Sequence, residues 1–400
     1  MHYRYTPEQQ ALRAELRQYF TDLMTPEIRA ALRAESAESG NTARNVMRRM
    51  GADGWLGVGW PVEYGGRGLT GLEQFVFFDE VQRAGAPFPF VTVNTVGPTL
   101  MQYGSQAQKD TYLPGILNGE INFAIGYTEP EAGTDLANLR TRAVRDGDEW
   151  VIDGNKVFTS GADRADYVWL ACRTDVDAPK HKGISIIIVP TSAPGFSVTP
   201  IHTVGDTDTT VTFYDGIRVP VDNVVGEVNG GWRLITNQLN HERVGLAALG
   251  GRVEQLYADV VAWCATTPAG PKGSEHLIDQ PWVQTDLARC HARLEAMKLL
   301  NWKMAAAVAS GDLTAADSSA SKVYGTECQV EVYRLLLGIL GGQGTIRPGE
   351  PAAVLRGEAE QGARAAQINT FGGGVNDVQR DIVAYAGLGM TRTARRQEKP

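Results

Sequence analysis

The spacing of apolar residues along the 400-residue chain changes twice. From the N-terminus to about residue 120 it is helical. TPEQQALRAELRQYF shows this, with Thr6 three residues ahead of Gln9 in a capping-box pattern. A turn-rich stretch, WLGVGWPVEYGGRGL, lies between the helices. From about Ile121 to Asn229 the period drops to two. There LRTRAVRDGDEWVIDGNKVF predicts two short strands around Asp-Gly turns, and GISIIIVP, FSVTPIHTV and TTVTFYDGIRVP are β-branched runs bounded by Gly and Pro. From Gly231 onward helical spacing returns, in WRLITNQLNHERVGLAALGGRVEQLYADVVAWC and WVQTDLARCHARLEAMKLLNWKMAAAVAS. The pattern predicts an α+β chain in three parts: a helical domain over 1–120, a β domain over 121–230 and a helical domain over 231–400. Pro and Gly content makes 266–281 the expected flexible loop.

Composition narrows the function by exclusion. A net charge of −8 leaves no basic footprint for nucleic acid. The N-terminus has no apolar signal core, and no run of about eighteen apolar residues occurs, so a cytoplasmic protein without membrane insertion is expected. Cys172, Cys264, Cys290 and Cys328 are far apart and outside any CxxC pair, and the histidines do not cluster. Neither a disulfide framework nor a metal site is expected.

Two local features carry candidate chemistry. In TFGGGVNDVQRDIV three glycines interrupt helical sequence, and the stretch follows helix rather than strand, which excludes a Rossmann turn. Two readings stay open: a helix end with Asn376 as the next N-cap, or close approach of backbone to a ligand. The second feature is the segment after Gly231, whose apolar stripe runs through Trp232, Ile235, Leu239, Leu246 and Leu249 with Glu242 in its one gap. A carboxylate there loses hydration, which favours its neutral form and suits it to proton transfer; a structural ion pair with Arg243 or another cation is the alternative.

The run YTEPEAGTDLANLRTRAVRDGDEWVIDGNKVFTSGADRADYVWLACRTD resembles the signature segment of the acyl-CoA dehydrogenase family, flavoproteins of α–β–α layout. GWLGVGWPVEYGGRGL, GIRVPVDNVVGEVNGGW and GGGVNDVQRDIV resemble the same family in the same order. The resemblance implies FAD, a CoA thioester substrate, α,β-dehydrogenation, and an electron-transfer flavoprotein as acceptor. It would place backbone groups of Tyr127 and Thr128 along the isoalloxazine. Gly133 and Thr134 would form a turn beside flavin and CoA. Phe158 would stand against the flavin, Ser160 near N5 in place of the commoner Thr, and Asn376 at the cofactor. Gly374 would lie beside the substrate.

The usual C-terminal base, a Glu, is replaced by Gly373, which keeps only a backbone N–H to meet the thioester oxygen. One branch of the family carries its Glu before an Arg on the first long C-terminal helix, and LNHERVGL puts Glu242 and Arg243 there. Glu242 is thus the expected base, with Arg243 near CoA. Val375 replaces a common Thr and removes a hydroxyl contact to FAD. Homotetrameric members also carry an Arg-x-x-Phe motif and a Gln before a Gly-Gly pair, both reaching FAD in the adjacent chain. Here CATTPAGPKGSEHLI has neither Arg nor Phe, and Gly338 stands at the Gln position before Gly341-Gly342. That pattern resembles the larger, Glu-bearing subunit of actinobacterial α2β2 acyl-CoA dehydrogenases that oxidise steroid side-chain thioesters. It implies a second acyl-CoA dehydrogenase-like chain. The alternatives are a non-catalytic subunit, a flavin oxidase or monooxygenase on the same fold, and a flavin-free scaffold.

Overall fold

A computed structural model describes residues 4–34, 41–238 and 250–391. Glu242, Arg243 and the rest of LNHERVGL lie outside the described residues.

The N-terminal helices are α1 (Pro7–Leu23), α2 (Pro26–Ala34), α3 (Thr42–Ala52), α4 (Gly71–Ala84), α5 (Gly97–Tyr103) and α6 (Gln106–Leu117). The capping box of α1 forms as the pattern predicts. The Gln9 N–H donates to Thr6 Oγ1 at 3.2 Å and the Thr6 N–H to Gln9 Oε1 at 3.1 Å. The turn-rich stretch before α4 buries Trp55, Leu56 and Trp60, and the Trp60 indole N–H donates to the Val93 carbonyl at 3.0 Å. Val93 belongs to a π-helical turn, Thr92–Val96, leading into α5.

Eight strands form one sheet: β1 (Phe123–Gly126), β2 (Arg142–Asp146), β3 (Glu149–Val157), β4 (Tyr167–Arg173), β5 (Ile184–Pro190), β6 (Phe196–Ile201), β7 (Thr209–Pro220) and β8 (Val224–Val225). Their order is β6-β7-β3-β2-β4-β5-β8, and β1 runs parallel along β4. The Asp146-Gly147 turn joins β2 to β3 as expected. Asp153-Gly154 does not turn. It is a bulge inside β3, where the pairing with β7 shifts between Ile152 and Gly154. Gly154 has φ +147°, and a Cβ there would come within 2.6 Å of Thr141 Oγ1, so only glycine lets the strand continue. β4 and β5 are buried on both faces, which explains why GISIIIVP reads as an unbroken apolar run. One face packs Val168, Leu170 and Cys172 with Ile152, Ile187 and Tyr214. On the other, Phe123 meets Trp169, Tyr167 and Tyr112 of α6. Gln108 of α6 ties the helices to the sheet through the Asp222 and Val224 carbonyls at 2.7 and 2.9 Å.

Residues 231–238 are helical and belong with this first compact unit as α7. The second unit contains α8 (Gly251–Thr266), a two-stranded ladder of β9 (Pro268–Ala269) and β10 (Glu275–His276), α9 (Pro281–Ser310), α10 (Ala315–Leu340), α11 (Glu358–Ala365) and α12 (Asn376–Ile382). Its core joins α8, α9 and α10 through Val260, Val283, Cys290, Val332 and Leu336. Each buried Val or Leu side chain here contributes about 1.5–3 kcal/mol by leaving water. The expected flexible loop at 266–281 contains the short β9–β10 ladder and 3-10 turns, with Leu277 N–H donating to the Thr267 carbonyl at 2.9 Å. The chain is α+β, with helices before and after the sheet.

Candidate active site

The predicted site residues fall into both units. In the first, the chain leaves β1 at Gly126 and runs through Tyr127 and Thr128 into a tight turn, where Glu129 and Ala132 exchange backbone hydrogen bonds of 3.2 and 3.1 Å around Pro130. Two contacts hold the Tyr127-Thr128 segment from beneath. The Val157 N–H donates to the Thr128 carbonyl at 2.8 Å, and Lys156 Nζ donates to the Tyr127 carbonyl at 3.1 Å. Lys156 has no solvent exposure, and its other partner is Glu129 Oε1 at 2.7 Å. Glu129 also accepts the Arg140 and Thr141 N–H groups at 2.6 and 2.8 Å. Burial raises the cost of the Glu129 charge, but Lys156 and these donors hold its carboxyl below the ordinary range. Burial also draws the Lys156 ammonium down, and the Glu129 carboxylate beside it opposes that shift, so each charge is sheltered by its partner and by backbone groups, the condition under which a buried ion pair is tolerated.

The hydroxyl of Tyr127 turns away from this pair and bonds Gln238 Oε1 of α7. Gln238 is buried, and its amide nitrogen has no acceptor among the described residues. Gly133 and Thr134 are exposed, and a Cβ at Gly133 would meet only Thr128 Cγ2, at 3.9 Å.

Just past β3, Phe158 adopts φ +60° and leaves 61% of its surface exposed. An aromatic residue held open in the left-handed region is strained and apolar at once, and such outliers concentrate at functional sites. The flanking backbone is firmly held. Thr159 and Thr210 exchange bonds of 3.0 Å (backbone) and 2.6 Å (the Thr210 hydroxyl to the Thr159 carbonyl). Ser160 Oγ lies 2.9 Å from Thr209 Oγ1 at the exposed edge. An apolar ring, a nearby hydroxyl and an unobstructed glycine turn fit a flat, hydrogen-bonding ring system such as a flavin.

In the second unit the glycine run follows a 3-10 turn, Ala366–Thr370, that ends with the Phe371 and Gly372 N–H groups donating to the Ile368 carbonyl at 3.2 and 2.8 Å. Gly373 and Gly374 have φ +67° and +102°. Among the described residues nothing lies within 4 Å of a Cβ built at Gly373, whereas one at Gly374 would meet Gln379 Nε2 at 2.5 Å. The N-cap of α12 is Val375, not Asn376. Asn376 is buried and faces α10: its amide N donates to Thr326 Oγ1 and Glu327 Oε1, each at 3.1 Å, and its Oδ1 accepts from Lys322 at 2.8 Å. Lys322 Nζ also donates to the Gly374 carbonyl at 2.6 Å. Desolvation draws the Lys322 ammonium down to about 8, against a smaller opposing pull from Glu327. Arg380 closes the cluster on Glu327 at 2.8 Å. The Asn376 side chain is thus spent on holding the loop.

Four contributors were not singled out from the sequence: Glu129, Lys156, Gln238 and Lys322. Glu129 and Lys156 both lie in quoted motifs, yet nothing in their 27-residue separation announces a pair. Among the described residues all four cysteines are free and buried, no cluster of His, Cys, Asp and Glu could hold a metal, and no helix is long and apolar enough to cross a membrane.

Family models of the acyl-CoA dehydrogenase N-terminal, middle and C-terminal domains match residues 6–120, 124–215 and 229–388. The chain is 52% identical to acyl-CoA dehydrogenase FadE26 of Mycobacterium tuberculosis, over 98% of this chain and 99% of that one. It superposes on the solved structure of the Tcur3481-Tcur3483 steroid ACAD with a TM-score of 0.93 and 61% identity, covering 98% of this chain and 100% of the other. Against the ChsE4-ChsE5 complex from Mycobacterium tuberculosis the TM-score is 0.92 and the identity 52%, over 98% and 100%.

Proposed function

The chain belongs to the acyl-CoA dehydrogenase family of FAD-dependent oxidoreductases, and from that premise we propose that it desaturates a bulky acyl-CoA thioester at its α,β bond, with Glu242 as the base. A steroid side-chain acyl group is the substrate class, in keeping with relatives described as a steroid ACAD. What carries the reading is the exposed Phe158 ring at a strained backbone position beside Ser160 and the Tyr127-Thr128 backbone.

Those residues, with the Gly133-Thr134 turn, would hold FAD, and Gly133 and Thr134 would also meet the CoA portion. When bound, FAD supplies the hydride acceptor at N5. The chain's own work is the proton transfer. Glu242 takes the α-proton, and as charge moves onto the thioester oxygen the Gly373 N–H donates to it. Gly373 carries no side chain at the position where the family commonly has its Glu, and Glu242 would serve as the carboxylate in its place; Gly374 would meet the same acyl group. Arg243 would bind the CoA portion, and Asn376 secures the loop through its bonds to α10. A second acyl-CoA dehydrogenase-like chain completes an α2β2 assembly by supplying the Arg and Gln missing here. Electrons pass to an electron-transfer flavoprotein in the cytoplasm.

Co-expression with the candidate partner, followed by flavin spectra and turnover on straight-chain, branched and steroid-linked CoA thioesters, tests the reading. Glu242→Gln should lower kcat by about 10²–10⁴-fold with FAD retained. Normal turnover in that variant would remove Glu242 from the mechanism. Full activity with one FAD per chain in the protein purified alone would remove the partner, and a colourless but correctly assembled complex would remove FAD.

A further inference from the structure

We propose that Lys322 is a positioning residue that aims the Gly373 N–H at the thioester oxygen, by fixing the loop through the Gly374 carbonyl and the Asn376 side chain. The inference rests on the role given to Gly373 above.

The loop has an anchor on either side of Gly373. Upstream, the Gly372 N–H is tied to the Ile368 carbonyl at 2.8 Å. Downstream, Lys322 Nζ holds the Gly374 carbonyl at 2.6 Å and Asn376 Oδ1 at 2.8 Å. Asn376 is in turn locked to Thr326 and Glu327 of α10, the helix that carries Lys322. Gly373 is the one residue between the anchors, and among the described residues nothing lies within 4 Å of a Cβ built there. Two successive glycines at φ +67° and +102° have the widest backbone freedom available to a chain. The direction of the Gly373 N–H is therefore set by the anchors, and Lys322 is the group that joins the loop's backbone to a rigid 26-residue helix. A preorganised donor works only if aimed where charge develops, and a displacement of about 1 Å can cost about 10²-fold.

The test compares wild type with Lys322→Met and Lys322→Gln in the assembled, FAD-loaded complex. One readout is steady-state kinetics. The second is the red shift of a chromophoric aryl-enoyl-CoA, whose absorption moves with hydrogen bonding to its carbonyl. The third is amide hydrogen exchange of residues 371–375, read with and without FAD. Expected are a kcat lower by about 10–100-fold with KM changed less than about threefold, a smaller red shift, and faster exchange confined to the loop. If Lys322→Met loses FAD or fails to assemble, Lys322→Gln, which keeps an N–H donor without the charge, is judged by the same readouts. Unchanged kcat and red shift in an assembled Lys322 variant would overturn this inference alone. A wild type that gives no red shift would overturn the Gly373 reading and this inference with it.

Discussion

The strand-borne segments at Tyr127–Thr134 and Phe158–Ser160 and the glycine loop at 372–374 are assigned to one reaction but are held in opposite ways. The first rest on the ladder of an eight-stranded sheet and on a Lys156-Glu129 pair shielded from water. The loop sits outside any ladder, is exposed, and is tied down by a half-buried lysine. A planar cofactor needs a broad surface whose many bonds share the load. An oxyanion needs one N–H in one direction, which a short glycine loop can supply provided something outside the loop aims it. Stability and catalysis should accordingly separate between the two regions.

The largest expected effect lies under the strands. Lys156→Met leaves Glu129 buried without its counter-charge and should cost about 3–5 kcal/mol in urea unfolding, because removing one partner of a buried pair is worse than removing both. Lys322→Met, with its site half open to water, should cost about 1–2 kcal/mol in the same assay, the scale of two partly solvated hydrogen bonds. Equal costs for the two would erase the distinction.

Within the loop, Gly373→Ala and Gly374→Ala separate backbone strain from crowding. Both place a Cβ in the left-handed region, at about 1–2 kcal/mol, and only Gly374→Ala must also move Gln379. Gly374→Ala should therefore have the lower thermal midpoint. Ser160→Ala is smaller again. Losing the 2.9 Å contact to Thr209 should cost under about 1 kcal/mol, while a spectral or potential change of bound flavin would register the lost hydroxyl.

The last effect is one of pH, and water reaching the half-buried Lys322 site screens much of it. Lys322 holds its proton less tightly in the folded chain, at about 8 against 10.5 for the free side chain. Between those values the unfolded chain binds more protons than the native one, so the Lys322 contribution to stability rises with pH. Wild type should gain on Lys322→Met from pH 8 toward 10.5 in unfolding titrations; a parallel pair of curves would show that the ammonium is not desolvated.

Much of the fold was legible because period and punctuation are local. Alternating runs gave strands, three-and-four spacing gave helices, and Thr6-Gln9 gave a cap that forms as expected. The misreadings arose where a local signal has two tertiary outcomes. Asp-Gly makes a turn at 146–147 and a bulge at 153–154, since the second lies beside β7 and the crowding Thr141. Pro and Gly at 266–281 marked a loop but not the pairing of Pro268–Ala269 with Glu275–His276 inside it.

For the site, the sequence by itself determined the chemistry on offer: the aromatic and hydroxyl at Phe158 and Ser160, the carboxylate at Glu242, and the missing side chain at Gly373. Only the tertiary structure decided what supports the Tyr127-Thr128 segment and the glycine loop. Glu129 meets Lys156 across 27 residues, and Lys322 meets Gly374 across 52. Periodicity cannot see such pairs, because a charge recruits whichever opposite charge or carbonyl the fold brings within about 3 Å, and that distance is set by packing rather than by spacing along the chain.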